Sequence, residues 1–142
     1  MNAAFKKRLH ADMATYLLDT NIIIDALNEK KNHNSWLVDL AEQGHTLACC
    51  PIQVAEVCAG LRPKEEQRTL ALLSCLKFYP ITFPIAELSG RLKRDYGRKG
   101  KTLSLADTTI AAVALQNHLT LITGNTKDFP MADLSLHSLP GS

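Results

Sequence analysis

Apolar residues along this chain fall into short runs, separated by longer stretches in which they recur every three or four positions. The first run, Tyr16 to Leu18, leads straight into Asp19, and the next, Ile22 to Ile24, closes on Asp25. This pattern predicts a buried strand and then a helix over about 21–28, capped by Thr20 or Asn21 or, on the plainest reading, by Asp19 itself. Residues 28–35 (NEKKNHNS) read as a polar loop. Ser35 reads as the cap of a helix carrying Trp36, Leu37, Leu40 and Ala41, stopped by Gly44. Thr46 to Cys50 is a second strand, and Pro51 suits the first position of a helix bearing Ile52, Ala55, Val57, Cys58 and Leu61. A further helix is expected over about 64–77, with Leu70, Leu73 and Leu76 on one face. Phe78 to Thr82 reads as a third strand, at a sheet edge because Pro80 lacks an N–H. Pro84 opens a long helix to about residue 99, with Ile85, Leu88, Leu92 and Tyr96 inward. Ser104 starts an alanine-rich helix, Leu119 to Thr123 forms a strand, and Leu134 to His137 a last short one. Strands that alternate with helices imply a parallel sheet covered on both faces, a three-layer α/β/α domain.

A length of 142 residues suits one domain, and 46% hydrophobic against 21% charged residues suits an ordinary core rather than extended disorder. The net charge of +2 is too mild to indicate a partner. Cys49, Cys50, Cys58 and Cys75 form no CxxC pair and have no histidine at ligand spacing, which speaks against zinc and against a disulfide framework. They read as small buried residues in a reducing compartment, with Cys58 on an apolar helix face. No apolar run reaches membrane-spanning length, and the basic N-terminal segment is followed by no apolar core of a secretory signal, so the expected location is cytoplasmic. Residues 1–14 read as a tail exposing Lys6, Lys7 and Arg8, with Met13 a candidate start, and residues 15–142 as a single domain.

The polar residues at the strand ends change this picture. Asp19 ends the first strand, and Glu56 lies in the helix after the second. Asp107 stands three residues after Ser104 in a capping-box-like pattern, and Asn125 and Asp128 follow the Leu119–Thr123 strand. Each has a local explanation as a cap, a rim residue or a loop polar. Together, four strand–helix junctions deliver a carboxylate or carboxamide to one rim, the carboxyl edge where open α/β sheets bind ligands. Clustered carboxylates raise one another's pKa and call for a cation. Ligands that are all oxygen suit Mg²⁺ or Mn²⁺, ions that serve phosphodiester hydrolysis by activating water.

DTNIIID at Asp19, VAEVCAGL around Glu56, LADTTIAAVA around Asp107 and LITGNTKDF near the end resemble the PIN-domain ribonucleases in order and spacing. The closest resemblance is to the VapC toxins of type II toxin–antitoxin systems, over about residues 15–139. The resemblance implies that Asp19, Glu56 and Asp107 are the acidic metal ligands, with a fourth position in the 125–128 segment. Asn125 stands where many relatives have Asp, so Asp128 is the candidate for the missing charge. Thr20, Asn21 and Thr123 would be polar supports. The resemblance also implies Mg²⁺- or Mn²⁺-dependent endoribonuclease activity on RNA such as tRNA or rRNA, homodimerisation, and a cognate antitoxin that occupies the site. Trp36, Leu37, Leu40, Leu70 and Leu73 serve either a dimer surface or the core.

Arg91, Lys93, Arg94, Arg98, Lys99 and Lys101 surround only one acid, Asp95, just before the Asp107 helix. They read either as phosphate contacts for RNA or as a solvated helix face. A phosphatase of the haloacid dehalogenase type would want an acid two residues after Asp19, where Asn21 stands, and a receiver domain would want an acidic pair before its first helix. Neither pattern is present. A PIN-like module that binds RNA or protein without cutting is the alternative that Asn125 keeps open.

Overall fold

The computed structural model describes residues 14–28 and 33–137. Five strands, β1 (Thr15–Leu18), β2 (Thr46–Cys49), β3 (Lys77–Phe78), β4 (Thr120–Ile122) and β5 (Ser135–His137), form one sheet in the order β3-β2-β1-β4-β5. Every pairing is parallel. Six α-helices cover it: α1 (Thr20–Leu27), α2 (His33–Glu42), α3 (Pro51–Ala59), α4 (Glu66–Ser74), α5 (Phe83–Arg98) and α6 (Leu105–Asn117). This is the three-layer α/β/α arrangement expected from the alternation of elements.

The central strands β1, β2 and β4 end in apolar pairs because both faces of the sheet are buried there and successive side chains point to opposite sides, whereas the edge strands β3 and β5 are largely exposed. Leu17, Ala48 and Leu121 enter one core with Ile85 of α5 and Ile110 to Ala114 of α6. Leu18, Cys49 and Ile122 enter the other with Ile22 and Ile23 of α1, Leu37 and Leu40 of α2, and Leu73 of α4. Helix α6 is buried on every side from Thr108 to Ala114, as befits a helix apolar all round. Ser89 of α5 meets Thr108 and Thr109 of α6 through hydroxyl contacts of 3.0 and 2.8 Å, which satisfies the buried polar atoms between these helices.

Several local expectations are corrected. Of the candidate caps of α1, Asp19 and not Thr20 or Asn21 is the one used: its extended backbone and its carboxylate, which accepts from the Thr20 N–H, meet the requirement one residue earlier. Ser35 lies inside α2, which begins at His33. The third strand ends at Phe78, and Tyr79 to Thr82 lead into α5 instead, although Tyr79 N–H still bonds Cys49 O at 2.9 Å. The strand is at the sheet edge, as expected, although Pro80 lies beyond its end and is not what places it there. Residues 63–65 form a 3-10 turn before α4, which stops at Ser74. Leu70 faces solvent, whereas Leu37, Leu40 and Leu73 belong to the core. Cys49 and Cys50 are buried, but Cys58 and Cys75 are exposed. Among the described residues no helix is long and apolar enough to cross a membrane. The predicted tail, with Lys6, Lys7, Arg8 and Met13, lies outside the described residues.

Candidate active site

Strand β1 pairs with β2 only as far as Leu17 but with β4 through Leu18. The Asp19 N–H continues the β4 side, donating to Ile122 O at 2.9 Å. The chain then turns into α1, which leaves the Asp19 carboxylate at the carboxyl edge of the sheet, 6% exposed. Its Oδ1 accepts from Thr20 N–H at 2.8 Å and its Oδ2 from the Thr123 hydroxyl at 2.7 Å. Thr123, fully buried just after β4, also accepts from Asn125 N–H at 3.0 Å. The Thr20 hydroxyl donates to Glu56 Oε1 at 2.7 Å, tying α1 to α3. Ser104 caps α6 by accepting from Asp107 N–H at 3.0 Å, so the predicted cap is present and Asp107 sits in the first turn. Asp128 ends a 3-10 turn, its N–H bonded to Asn125 O at 3.0 Å.

These carboxylates lie within one another's electrostatic reach. Burial drives Asp19 above its ordinary pKa; the Thr123 hydroxyl and Thr20 N–H oppose the shift, and the charges of Glu56 and Asp128 add to it. Burial likewise raises Asp107, against the Ser104 hydroxyl, and Asp19, Asp128 and Glu56 push in the same direction. The structure thus brings together Asp19, Glu56, Asp107 and Asp128, with Thr20 and Thr123 as their partners. Asn125 contributes its backbone to the loop, and the exposed Asn21 side chain makes no hydrogen bond among the described residues.

Among the described residues no three His, Cys, Asp or Glu side chains form a ready cage for one ion. The donor chemistry nevertheless suits Mg²⁺ or Mn²⁺. All four charged groups are carboxylates, and Mg²⁺ usually keeps several waters and takes only one or two carboxylates directly.

The C-terminal half of α5 lies beside this rim. Lys93 Nζ donates to Leu103 O at 2.6 Å, just before α6, and the Tyr96 hydroxyl donates to Pro130 O at 3.3 Å, two residues after Asp128. The basic residues of this half-helix and of the loop that follows it are not equivalent. Lys93 anchors the loop into α6, Arg91 pairs with Glu87 at 2.6 Å, Arg94 lies 3.4 Å from Asp95, and Lys99 sits over the Tyr96 ring. Arg98 and Lys101 are exposed and join no ion pair among the described residues. Glu56 also lines a cleft of about 160 Å³ that carries Arg62 and Arg68.

Sequence reasoning missed Gln53, which is fully buried and bonded to both Leu18 O and Cys50 N–H. A glutamine one helical turn before Glu56, among apolar neighbours, was the available signal.

The PIN domain model matches residues 16–133. The chain belongs to the PIN-domain family. Within it, this PIN domain is 33% identical to Ribonuclease VapC10 of Mycobacterium tuberculosis, over 81% of this chain and 86% of the relative. It is 31% identical to Toxin FitB of Neisseria gonorrhoeae, over 84% of this chain and 94% of that protein. Among solved structures, VapBC2 from Rickettsia felis, bound to a DNA fragment from its promoter, superposes with a TM-score of 0.76 at 28% identity, covering 89% of this chain and 99% of that one. A toxin–antitoxin complex from Klebsiella pneumoniae matches with a TM-score of 0.69 at 34% identity, over 84% and 94% of the respective chains.

Proposed function

We propose that this PIN domain is a divalent-metal-dependent endoribonuclease and the toxin of a toxin–antitoxin pair. The observation that carries the reading is the convergence of Asp19, Glu56, Asp107 and Asp128 on one rim, with Asp19 and Asp107 both pushed up by burial and by their neighbours' charge. The relatives named as ribonucleases and as a toxin support the activity, and the neighbours solved as toxin–antitoxin complexes support an antitoxin partner. A homodimer is part of the same reading.

Asp19, Asp107 and Glu56 would hold Mg²⁺ or Mn²⁺, with Asp128 acting directly or through water. The bound ion would supply an activated water and neutralise charge on the scissile phosphate. The protein's own part is orientation and grip. Thr123 and the Thr20 N–H fix the two oxygens of Asp19, and the Thr20 hydroxyl fixes Glu56. Arg98 and Lys101 are the cations best placed to take flanking phosphates, since both are exposed and unpaired among the described residues.

The second reading is a PIN-like module that holds RNA or protein without cutting, favoured by the neutral Asn125 in the segment that carries Asp128. Purified protein, free of antitoxin, is incubated with total cellular RNA in Mg²⁺, Mn²⁺ or EDTA, beside Asp19→Asn. Discrete fragments that need metal and vanish in the variant are expected. No cleavage by folded, metal-supplied wild-type protein favours the binding module.

A further inference from the structure

Parallel strands β1 and β2 part company where their chains turn off into α1 and α3. Their pairing stops at Leu17 and Ala48, so the carbonyl of Leu18 and the N–H of Cys50 lose their strand partners at a buried point. Gln53 stands in this gap, 0% exposed. Its Nε2 donates to Leu18 O at 3.0 Å, and its Oε1 accepts from Cys50 N–H at 3.0 Å and from the Cys50 thiol at 2.7 Å. Burial pushes that thiol up to about 11, so it remains a donor at neutral pH.

The Leu18 carbonyl and the Asp19 N–H are the two poles of one peptide group. Ile122 O holds the N–H pole across the sheet, and Gln53 holds the carbonyl pole from α3. The peptide that aims Asp19 is therefore clamped from both sides. Glu56 follows Gln53 by three residues on the same helix, and Thr20, one residue beyond Asp19, bonds Glu56 at 2.7 Å. Two struts join the frame of Asp19 to the frame of Glu56, one on each side of Asp19. An apolar residue of similar size would fill the same space but strand a carbonyl and an N–H. Asparagine is a methylene too short to reach both, and an ionised glutamate has no donor.

We infer that Gln53 is a positioning residue that sets Asp19 and Glu56 in register with each other and thereby governs divalent-ion binding at the rim. The inference rests on the metal-site reading above. Its test is Mn²⁺ binding to the full chain, read from the free-ion electron paramagnetic resonance signal, for wild type, Gln53→Met and a control, Leu73→Ala. The control loses stability in the core near α4. Gln53→Met is expected to bind Mn²⁺ about 10- to 100-fold more weakly while folded by circular dichroism, the range typical for partners of metal ligands. Leu73→Ala is expected to bind like wild type. An affinity within twofold of wild type in folded Gln53→Met overturns the inference. Wild-type protein that binds no Mn²⁺ overturns the metal site itself and the inference with it, a separate outcome.

A second measurement needs no variant. During a Mg²⁺ titration of the wild-type protein, the Gln53 side-chain amide resonances are expected to shift with the same apparent Kd as the Asp19 backbone amide. Gln53 resonances that stay still at saturation overturn the inference.

Discussion

Replacing Thr123 with valine removes a hydroxyl from a fully buried position while almost preserving shape. In the wild type that hydroxyl donates to Asp19 Oδ2 at 2.7 Å and accepts from Asn125 N–H at 3.0 Å. A hydrogen bond to an ionised group contributes about 1.5–3 kcal/mol, and the half-buried Asn125 N–H loses roughly 0.5–1 kcal/mol more because water replaces its acceptor only in part. The added methyl returns about 0.5–1 kcal/mol. The net loss is about 1.5–3 kcal/mol, or roughly 6–12 °C in Tm at about 4 °C per kcal/mol for a chain of this size. The loss also depends on pH. Burial raises the folded-state pKa of Asp19 above its unfolded value, and Thr123 restrains that rise. Asp19 therefore costs stability as pH climbs from its unfolded pKa through its folded one. Without Thr123 the folded pKa rises further, so the gap between variant and wild type widens with pH and levels off above the variant's pKa. Urea denaturation in EDTA, repeated from pH 4.5 to pH 8, measures this directly. A loss below about 0.5 kcal/mol, or one equal at both pH limits, would refute the view that Thr123 stabilises an ionised Asp19.

Asp19→Asn is expected to raise Tm in EDTA, because it removes a buried charge beside Glu56 and Asp128, and to lower RNA cleavage by more than about 100-fold, since even partners of metal ligands are worth 10- to 100-fold. Calorimetry without metal and a gel assay with Mn²⁺ check the two halves. Ile110→Ala empties a fully buried site in α6 and is expected to cost about 2–5 kcal/mol in urea unfolding, with activity retained at low temperature. The double change Arg98→Ala and Lys101→Ala is expected to leave Tm within about 2 °C, because both side chains are exposed and unpaired among the described residues. It should flatten the slope of log binding constant against log salt, for a single-stranded RNA, by about 1.4, near 0.7 per lost phosphate contact. An unchanged slope places the RNA elsewhere. Lys93→Met should show the opposite profile: a loss of about 1–2 kcal/mol from the bond to Leu103 O, with little change in that slope.

The order of strands and helices, the parallel sheet and the rim to which Asp19, Asp107 and Asp128 are delivered were legible in the sequence. Apolar runs such as Leu17–Leu18 and Leu121–Ile122, ending in polar residues, can bury both faces only as central parallel strands. Local chemistry also identified the Ser104 cap, because that bond spans three residues. What the sequence could not decide were contacts between residues far apart in the chain. Thr123 holds Asp19 across 104 positions, Thr20 reaches Glu56 across 36, and Gln53 closes the gap above Leu18 across 35. Lys93 and Arg98 look alike in a basic run, and only the path of the loop before α6 makes one an anchor and leaves the other exposed. Even the cap of α1 depends on the fold: Asp19 can end the strand and begin the helix because β4 supplies the acceptor for its N–H. Periodicity and capping act within a few residues and so leave their mark on the sequence. The pairing of buried polar groups is decided by which distant segments the assembled sheet brings together.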